Sequence, residues 1–466
     1  MDILVTLAAL GFLMFVAYRG FSVILFAPVA ALFAVACFHP SLVPPYFSGI
    51  YMEKLAGFLK PYFPVFMLGA LFGKLIELSG FAKAITERVV RLIGERNAML
   101  AVVTVCALLT YGGVSLFVAA FAVYPFAAEL FRSANIPKRL IPGTIALGSF
   151  TFTMDALPGS PQIQNIIPTS FFKTNTWAAP KLGFLGAVFV LAIGMAYLTY
   201  RRRQAQARRE GYGEEAAAPD AAAAGGAEKS IHPLVAFLPL LLVGVLNLAF
   251  TRALPKVYPG PIDLAPYGVK DVAPMDPSKF IALWAVEGAL LVGIAVIVAT
   301  ALSRVRGPFA KGATLAIGGA MLAAFNTASE YGFGGVVAAL PGFKAISAAM
   351  TDAISNPLLN EAITTTTLAG ITGSASGGMS IALATMGQRY LEQANQLGIP
   401  AEVLHRVASM ASGGMDTLPH NGAVITLLAV TGLTHRQSYG DIFAMTLIKT
   451  AAVFVIIGVY YAFGIY

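Results

Sequence analysis

Two aspartates, Asp155 and Asp416, stand 261 positions apart in the same local setting, Met-Asp-x-Leu-Pro. Each lies inside an otherwise apolar stretch, where a charged side chain costs about 2.5–3.5 kcal/mol on insertion scales and marks a pathway or binding site by default. Two chemistries suit a carboxylate there: binding substrate or a coupling ion directly, or capping a half-helix by accepting backbone N–H groups. The second break also carries Thr417, His420 and Asn421, and the first carries Ser160 and Gln162. His420 titrates near neutrality and could relay a proton, with a histidine satisfied by a backbone carbonyl as the rival. Asp155, Asp416 and His420 are therefore the candidates for proton or ion coupling.

Two further clusters combine glycine with small hydroxyl residues: Tyr111, Gly112, Gly113 and Ser115, then Thr372, Ser374, Ser376, Gly377 and Gly378. Glycine lets backbone N–H groups face a cavity, and a half-helix starting after such a tip presents its positive dipole end. Four half-helix ends converging at mid-depth would hold a carboxylate without a buried Arg. Close helix packing through small residues is the competing explanation. Asn326, Thr327, Ser329 and Glu330 precede the second tip, and Asn360, Glu361 and Thr364 to Thr367 lead into it; some of these should line an aqueous path. His39, His232, His405 and His435 read as loop or interface residues. Cys37 and Cys106 each lie in an apolar run, leaving neither a disulfide framework nor a Cys-based metal site, and no cofactor is expected.

The elements that position these residues follow from composition. The chain has 466 residues, 57% of them hydrophobic and 12% charged, with mean hydropathy +0.75. Soluble proteins carry about a quarter charged residues, so an ordinary cytosolic enzyme, a disordered chain and a disulfide scaffold are excluded. Apolar runs of about 15 to 24 residues can cross a hydrocarbon layer roughly 30 Å thick. An all-α polytopic membrane protein is expected, with about 10 transmembrane spans plus two re-entrant hairpins and two broken helices. The excess of 31 Lys+Arg over 23 Asp+Glu sits in short loops, where it sets orientation and signals no nucleic acid. The N-terminus, apolar from Ile3 with no basic region before it, reads as a retained helix.

Runs at 2–18 and 21–38 are followed by a Pro-rich segment, His39 to Pro61, and a third run at 63–79. An amphipathic basic stretch with Lys83, Arg88, Arg91 and Arg96 leads into 98–131, interrupted by Tyr111-Gly-Gly113. Basic residues on both flanks favour a re-entrant hairpin there, with two short full spans as the alternative. Residues 139–172, crowded with Pro and Gly at their centre, suggest two half-helices joined by unwound backbone. A run at 181–200 ends in Arg201-Arg-Arg203, the strongest cytoplasmic marker. Residues 204–231 lack periodicity and form a cytoplasmic linker between a first unit, 1–203, and a second, 232–466.

Sliding the chain by 261 positions lays Met154-Asp-Ala-Leu-Pro158 on Met415-Asp-Thr-Leu-Pro419, Phe72-Gly73 on Phe333-Gly334, and Lys83-Ala-Ile85 on Lys344-Ala-Ile346. The second hairpin then falls at about 357–390 and the second broken helix at about 403–430. Five crossings separate the copies, so the second is upside down; the repeats are inverted. Inverted repeats with broken helices near the midplane are the architecture of secondary transporters.

Leu109-Thr-Tyr-Gly-Gly-Val-Ser-Leu-Phe117, Ala134-Asn-Ile-Pro-Lys-Arg-Leu-Ile-Pro142, Pro419-His-Asn-Gly-Ala-Val-Ile-Thr-Leu-Leu428 and Thr431-Gly-Leu-Thr-His-Arg-Gln-Ser-Tyr439 carry a resemblance. Through them the chain resembles the gluconate permease family of proton symporters, within the ion transporter superfamily. The resemblance spans all but the linker. It implies a homodimer in a bacterial cytoplasmic membrane, each subunit with a scaffold and a moving transport domain, and substrate held between hairpin tips and broken helices. Members handle gluconate and other sugar acids, D-serine, or short hydroxy acids such as 3-hydroxybutyrate, and Asp155-Ala-Leu-Pro-Gly-Ser-Pro-Gln162 looks more like the last branch. The expectation is a non-enzymatic, proton-coupled symporter of a small hydroxylated monocarboxylate. Sodium coupling, a passive anion channel, and an intramembrane hydrolase using Ser, His420 and Asp416 are the alternatives.

Overall fold

The computed structural model describes residues 2–19, 21–94, 97–114, 116–213, 231–268, 274–419 and 421–466. Ser115, His420 and linker residues 214–230 lie outside these. From the N-terminus run α1 (Asp2–Tyr18), α2 (Val23–Phe38), the short α3 (Val43–Tyr46), α4 (Met52–Leu78) and α5 (Phe81–Ile93). Then come α6 (Ala98–Tyr111), α7 (Leu116–Ser133), α8 (Ile141–Ser149), the one-turn α9 (Phe152–Asp155), α10 (Ile163–Phe172) and α11 (Pro180–Ala207). The remainder forms α12 (Pro233–Val257), α13 (Ile281–Val305), α14 (Phe309–Ala339), α15 (Pro341–Ala353) and α16 (Pro357–Thr372). It closes with α17 (Ala375–Gln396), α18 (Ala401–Ser412), α19 (Gly422–Thr431) and α20 (His435–Phe463).

Among the described residues, helices and turns account for nearly everything, with one isolated bridge between Ile262 and Met275. Five helical segments there are long and apolar enough to cross a membrane: Pro40–Leu78, α11, α12, α13 and α20. The chain is thus an all-α, multi-pass membrane protein.

Helical structure continues where the Pro-rich composition suggested otherwise: the span expected at 63–79 begins at Met52. Pro44 and Pro45 fall in α3, where a first helical turn does not need the missing N–H, while Pro61 and Pro64 are absorbed inside α4. Helix α5 is two-faced, burying Phe81, Ala82, Ile85 and Val89 and exposing Lys83, Arg88 and Arg91. The first hairpin arm, α6, has 14 residues and is about 21 Å long, shorter than the hydrocarbon layer. At the other hairpin α17 runs on to Gln396, six residues past the expected end. At the linker, α11 continues to Ala207, beyond the boundary expected at 204.

Packing is reciprocal between the halves. Helices α4 and α14 lie along each other; α13 packs on α4 as α2 packs on α14. Likewise α12 covers α5 as α1 covers α15, and α7 meets α19 as α17 meets α10. Small residues permit the close approaches: α2 turns Ala27, Ala30, Ala31 and Ala34 inward. Both hairpin tips turn through glycine in the left-handed region, Gly113 at φ +97 and Gly373 at φ +67, which residues with a Cβ rarely adopt.

Candidate functional site

Each broken segment leaves backbone groups without helical partners, and these must find others when buried. At the first break the unwound stretch runs from Ala156 to Gln162 between α9 and α10. Its neighbour is α18, whose residues 406 and 409 share one face that Gly413, just past the helix end, continues. Arg406 Nη1 donates to the Asp155 carbonyl at 3.3 Å and Ser409 Oγ to the same oxygen at 2.7 Å. The Asp155 carboxyl packs against Gly413, where a Cβ would lie 1.9 Å from Oδ2. Oδ2 is buried with no hydrogen-bond partner among the described residues. Asp155 therefore reaches across to the second break, within electrostatic range of Asp416 and Lys449.

At the second break, Gly413 to Asn421 separate α18 from α19, and α20 supplies the partners from positions 446, 449 and 450. Lys449 Nζ lies 2.5 Å from Asp416 Oδ1 and donates to the Phe150 carbonyl at 2.9 Å, so one ammonium bridges both broken segments. Thr446 bonds Thr417 through their hydroxyls, and Thr450 Oγ1 donates to the Gly414 carbonyl at 2.8 Å. Lys449 and Asp416 are only 2% and 7% exposed at their side chains. Burying two charges is costly and is offset only when the pair keeps good geometry and additional hydrogen bonds, as this one does.

The hairpin tips are tied to the breaks by amide side chains. Gln162 Nε2 donates to the Thr110 carbonyl at 2.7 Å, and Tyr111 donates to the Pro158 carbonyl at 2.9 Å. Correspondingly, Asn421 Nδ2 donates to the Gly373 carbonyl at 2.6 Å while its Oδ1 accepts from the Ala423 and Val424 N–H groups at the start of α19. Ser374 caps α17 by accepting from Gly377 N–H at 3.0 Å, and Ser376 pairs with Thr327 at 3.0 Å. Thr372 turns back onto its own helix, its hydroxyl reaching the Leu368 carbonyl at 3.0 Å. Ser160 also faces inward, donating to the Thr153 carbonyl at 3.0 Å.

Glycines at the two tips touch different things. A Cβ on Gly112 would meet the Leu240 side chain of α12, and one on Gly113 would meet Pro161 and Leu290. On Gly378 it would strike the Ala369 backbone nitrogen at 2.1 Å, so this glycine lets α16 and α17 close on each other. Gly377 lies against the Glu330 carboxyl. Thr417, Asn421, Asp155 and Asp416 thus meet around the crossing of the broken segments, whereas Ser374, Ser376 and Gly377 gather around α14. Ser115 and His420 are outside the described residues.

The crossing of the broken segments has buried cations on both sides, Lys449 donating to the Phe150 carbonyl and Arg406 to the Asp155 carbonyl. Arg406 is fully buried, saturating the Ala178 carbonyl through Nε and Nη2 as well as Asp155 and Asn165. His405, expected at a loop or interface, is fully buried in α18 between Thr174 at 2.6 Å and Asn165 at 3.2 Å. Among the described residues no group of three His, Cys, Asp or Glu side chains could hold a metal ion.

A second charged cluster closes the end of α20. Buried Asp441 accepts from Arg201 Nε at 2.7 Å and Tyr197 at 2.9 Å, with Arg139 at 3.5 Å. Arg139 also grips Glu210 through two bonds of 2.6 and 2.8 Å, holding that carboxyl below its usual range. The first residues after α11 are thereby docked.

No family model matches the chain. The uncharacterized transporter YxjC of Bacillus subtilis (strain 168) is 60% identical over 474 residues, covering 100% of both chains. A crystal structure of the YdaH transporter of Alcanivorax borkumensis aligns with 89% of this chain and 88% of its own at 17% identity and a TM-score of 0.45.

Proposed function

The chain belongs to the same transporter family as YxjC, and from that premise we propose that it is a proton-coupled symporter of a small hydroxylated monocarboxylate in a bacterial cytoplasmic membrane. The observation that carries this proposal is the Asp416–Lys449 pair between two broken helices. An incoming carboxylate competes with Asp416 for the ammonium. A proton on Asp416 releases Lys449 to the substrate, and the site's net charge is zero both empty and loaded with acid anion plus proton. A neutral site is the cheapest one to carry through a low-dielectric layer. Asp155, with a free carboxyl oxygen beside the pair, is the second acceptor for that proton, and His420 the third.

Substrate hydroxyls are assigned to Thr417, Asn421 and the hairpin-tip hydroxyls. The segments resembling gluconate permeases support a hydroxy acid, with gluconate and 3-hydroxybutyrate as the first candidates. Lys449 also favours protons over sodium: a sodium ion beside Asp416 would face an ammonium already 2.5 Å from the same oxygen.

Alternating access would move hairpins and broken helices as one body against the outer spans, in a homodimer. The Gln162, Tyr111 and Asn421 bonds that tie each tip to its own break support such a unit. Asn247 of α12, donating to the Gly159 carbonyl at 2.9 Å, is a contact that motion must release.

Uptake of labelled gluconate and 3-hydroxybutyrate into proteoliposomes tests this. An inward pH gradient should drive accumulation, and replacing external sodium with choline should leave it unchanged. No gradient-stimulated uptake of either acid, or uptake that collapses in choline, contradicts the proposal.

A further inference from the structure

Outside the site just described, an acidic side chain is buried against the second hairpin tip. Glu330 lies on α14 and is 2% exposed. Its carboxyl sits directly over Gly377 in the first turn of α17, the helix that begins at the second hairpin tip. A Cβ at Gly377 would fall 1.6 Å from Oε2, so glycine is required for the tip to seat.

Polar groups reach the niche from three segments, and among the described residues it holds no cation. Ser374, the cap of α17, is a hydrogen-bonding neighbour of the carboxyl, and Ser376 bonds both Ser374, at 3.4 Å, and Thr327, one turn before Glu330. From the segment preceding α4 comes Tyr51, 2% exposed, whose phenol lies in electrostatic range of Glu330 and beside Ser329. Glu330 Oε2, Tyr51 Oη and Ser329 Oγ are all buried with no hydrogen-bond partner among the described residues. Among the described residues, Tyr51 is the ionisable group facing Glu330 from the segments packed on α14. On α4, Lys54 lays its stem against Gly335 further along and is exposed; among the described side chains, α2 and α17 bring no charged one to the carboxyl.

A carboxylate charge sealed in such a place without a counter-ion costs several kcal/mol. The α17 dipole supplies only about half a unit of opposing charge. The Ser374, Ser376 and Thr327 hydroxyls are already paired with one another at hydrogen-bonding distance, and a proton, needing no room, is the ligand that fits.

We propose that Glu330 is a proton-binding site gated by the second hairpin: the tip packs over the carboxyl when it is protonated and lifts, admitting water, when it ionises. This deepens the symport proposal, because proton release and movement of a substrate-facing tip become one event. It also assigns a proton carrier separate from Asp416, whose charge is matched by Lys449.

Infrared difference spectra of the purified protein, titrated through pH, read the site without any substrate. Wild type should show a carbonyl-stretch band of a protonated carboxyl that disappears as pH rises; the band should be missing in Glu330→Gln and retained, at a shifted midpoint, in Glu330→Asp. In parallel, a Ser376→Cys reporter in a Cys37→Ser background should react with a maleimide faster as pH rises, and Glu330→Gln should make that rate independent of pH. A band unchanged in Glu330→Gln, or a labelling profile that keeps its pH dependence in that variant, overturns the assignment. So does a band or labelling rate that responds to sodium at fixed pH. If wild type transports neither gluconate nor 3-hydroxybutyrate, the substrate proposal fails while these spectra still decide Glu330.

Discussion

The two hairpin tips occupy matching places in the repeat, yet one rests on hydrocarbon and the other on an acid. Gly112 and Gly113 face Leu240, Leu290 and Pro161, whereas Gly377 faces Glu330, whose counterpart 261 positions earlier is Gly69. The breaks differ in the same way. Asp155 has a carboxyl oxygen with no partner, while Asp416 has Lys449, whose counterpart is Val188. Duplication preserved the backbone geometry, and chemistry was installed in the second copy. The buried ion pair at the crossing lies wholly in the second half, Asp416 with Lys449.

That asymmetry is open to direct attack. Lys449→Met strands a buried Asp416 and should cost about 3–5 kcal/mol, read as a lowered unfolding midpoint in detergent. Asp155→Asn, removing a carboxyl with a free oxygen, should cost about 1 kcal/mol or less. Equal losses would erase the distinction between the breaks. Gly378→Ala drives a Cβ into the Ala369 backbone and should cost about 3 kcal/mol. Gly112→Ala meets only the Leu240 side chain, which can rotate aside, and should cost about 1 kcal/mol. Asn421→Ala loses both a helix cap and a tip bond, about 1–2 kcal/mol, against about 1 kcal/mol for Gln162→Ala, which loses tip bonds alone.

The smallest effect concerns the linker. Arg139 lowers the Glu210 carboxyl below its usual 4.5. A carboxyl depressed on folding contributes stability above its unfolded value and loses it as pH falls through the lower folded one. Residues 208–213 should therefore resist amide exchange at neutral pH and loosen only once the pH falls below the ordinary glutamate range. In Glu210→Gln they should already be loose at neutral pH.

Much of the frame was legible in the residues themselves. Met-Asp-x-Leu-Pro at one offset marked the breaks, and the glycine and hydroxyl clusters at 111–115 and 372–378 marked the tips, which turn left-handed at Gly113 and Gly373. The cations were not. Lys449 sits in the strongly apolar α20, where window averaging conceals one charge; the sign was Thr446, Lys449 and Thr450 on one helical face. His405 reads from the sequence as a loop or interface residue, and nothing in the pattern singles out Arg406 beside it. Two breaks leave orphan carbonyls, and asking what donates to them would have called for a buried Arg or Lys nearby.

Uptake of labelled 3-hydroxybutyrate and gluconate under an inward pH gradient, compared between wild type and Lys449→Gln, probes the exchange of partners at Asp416 most directly. Wild type should concentrate at least one acid several-fold, and Lys449→Gln, protein of equal abundance and fold, should concentrate neither. Accumulation by Lys449→Gln at the wild-type level would contradict a carboxylate held by that ammonium.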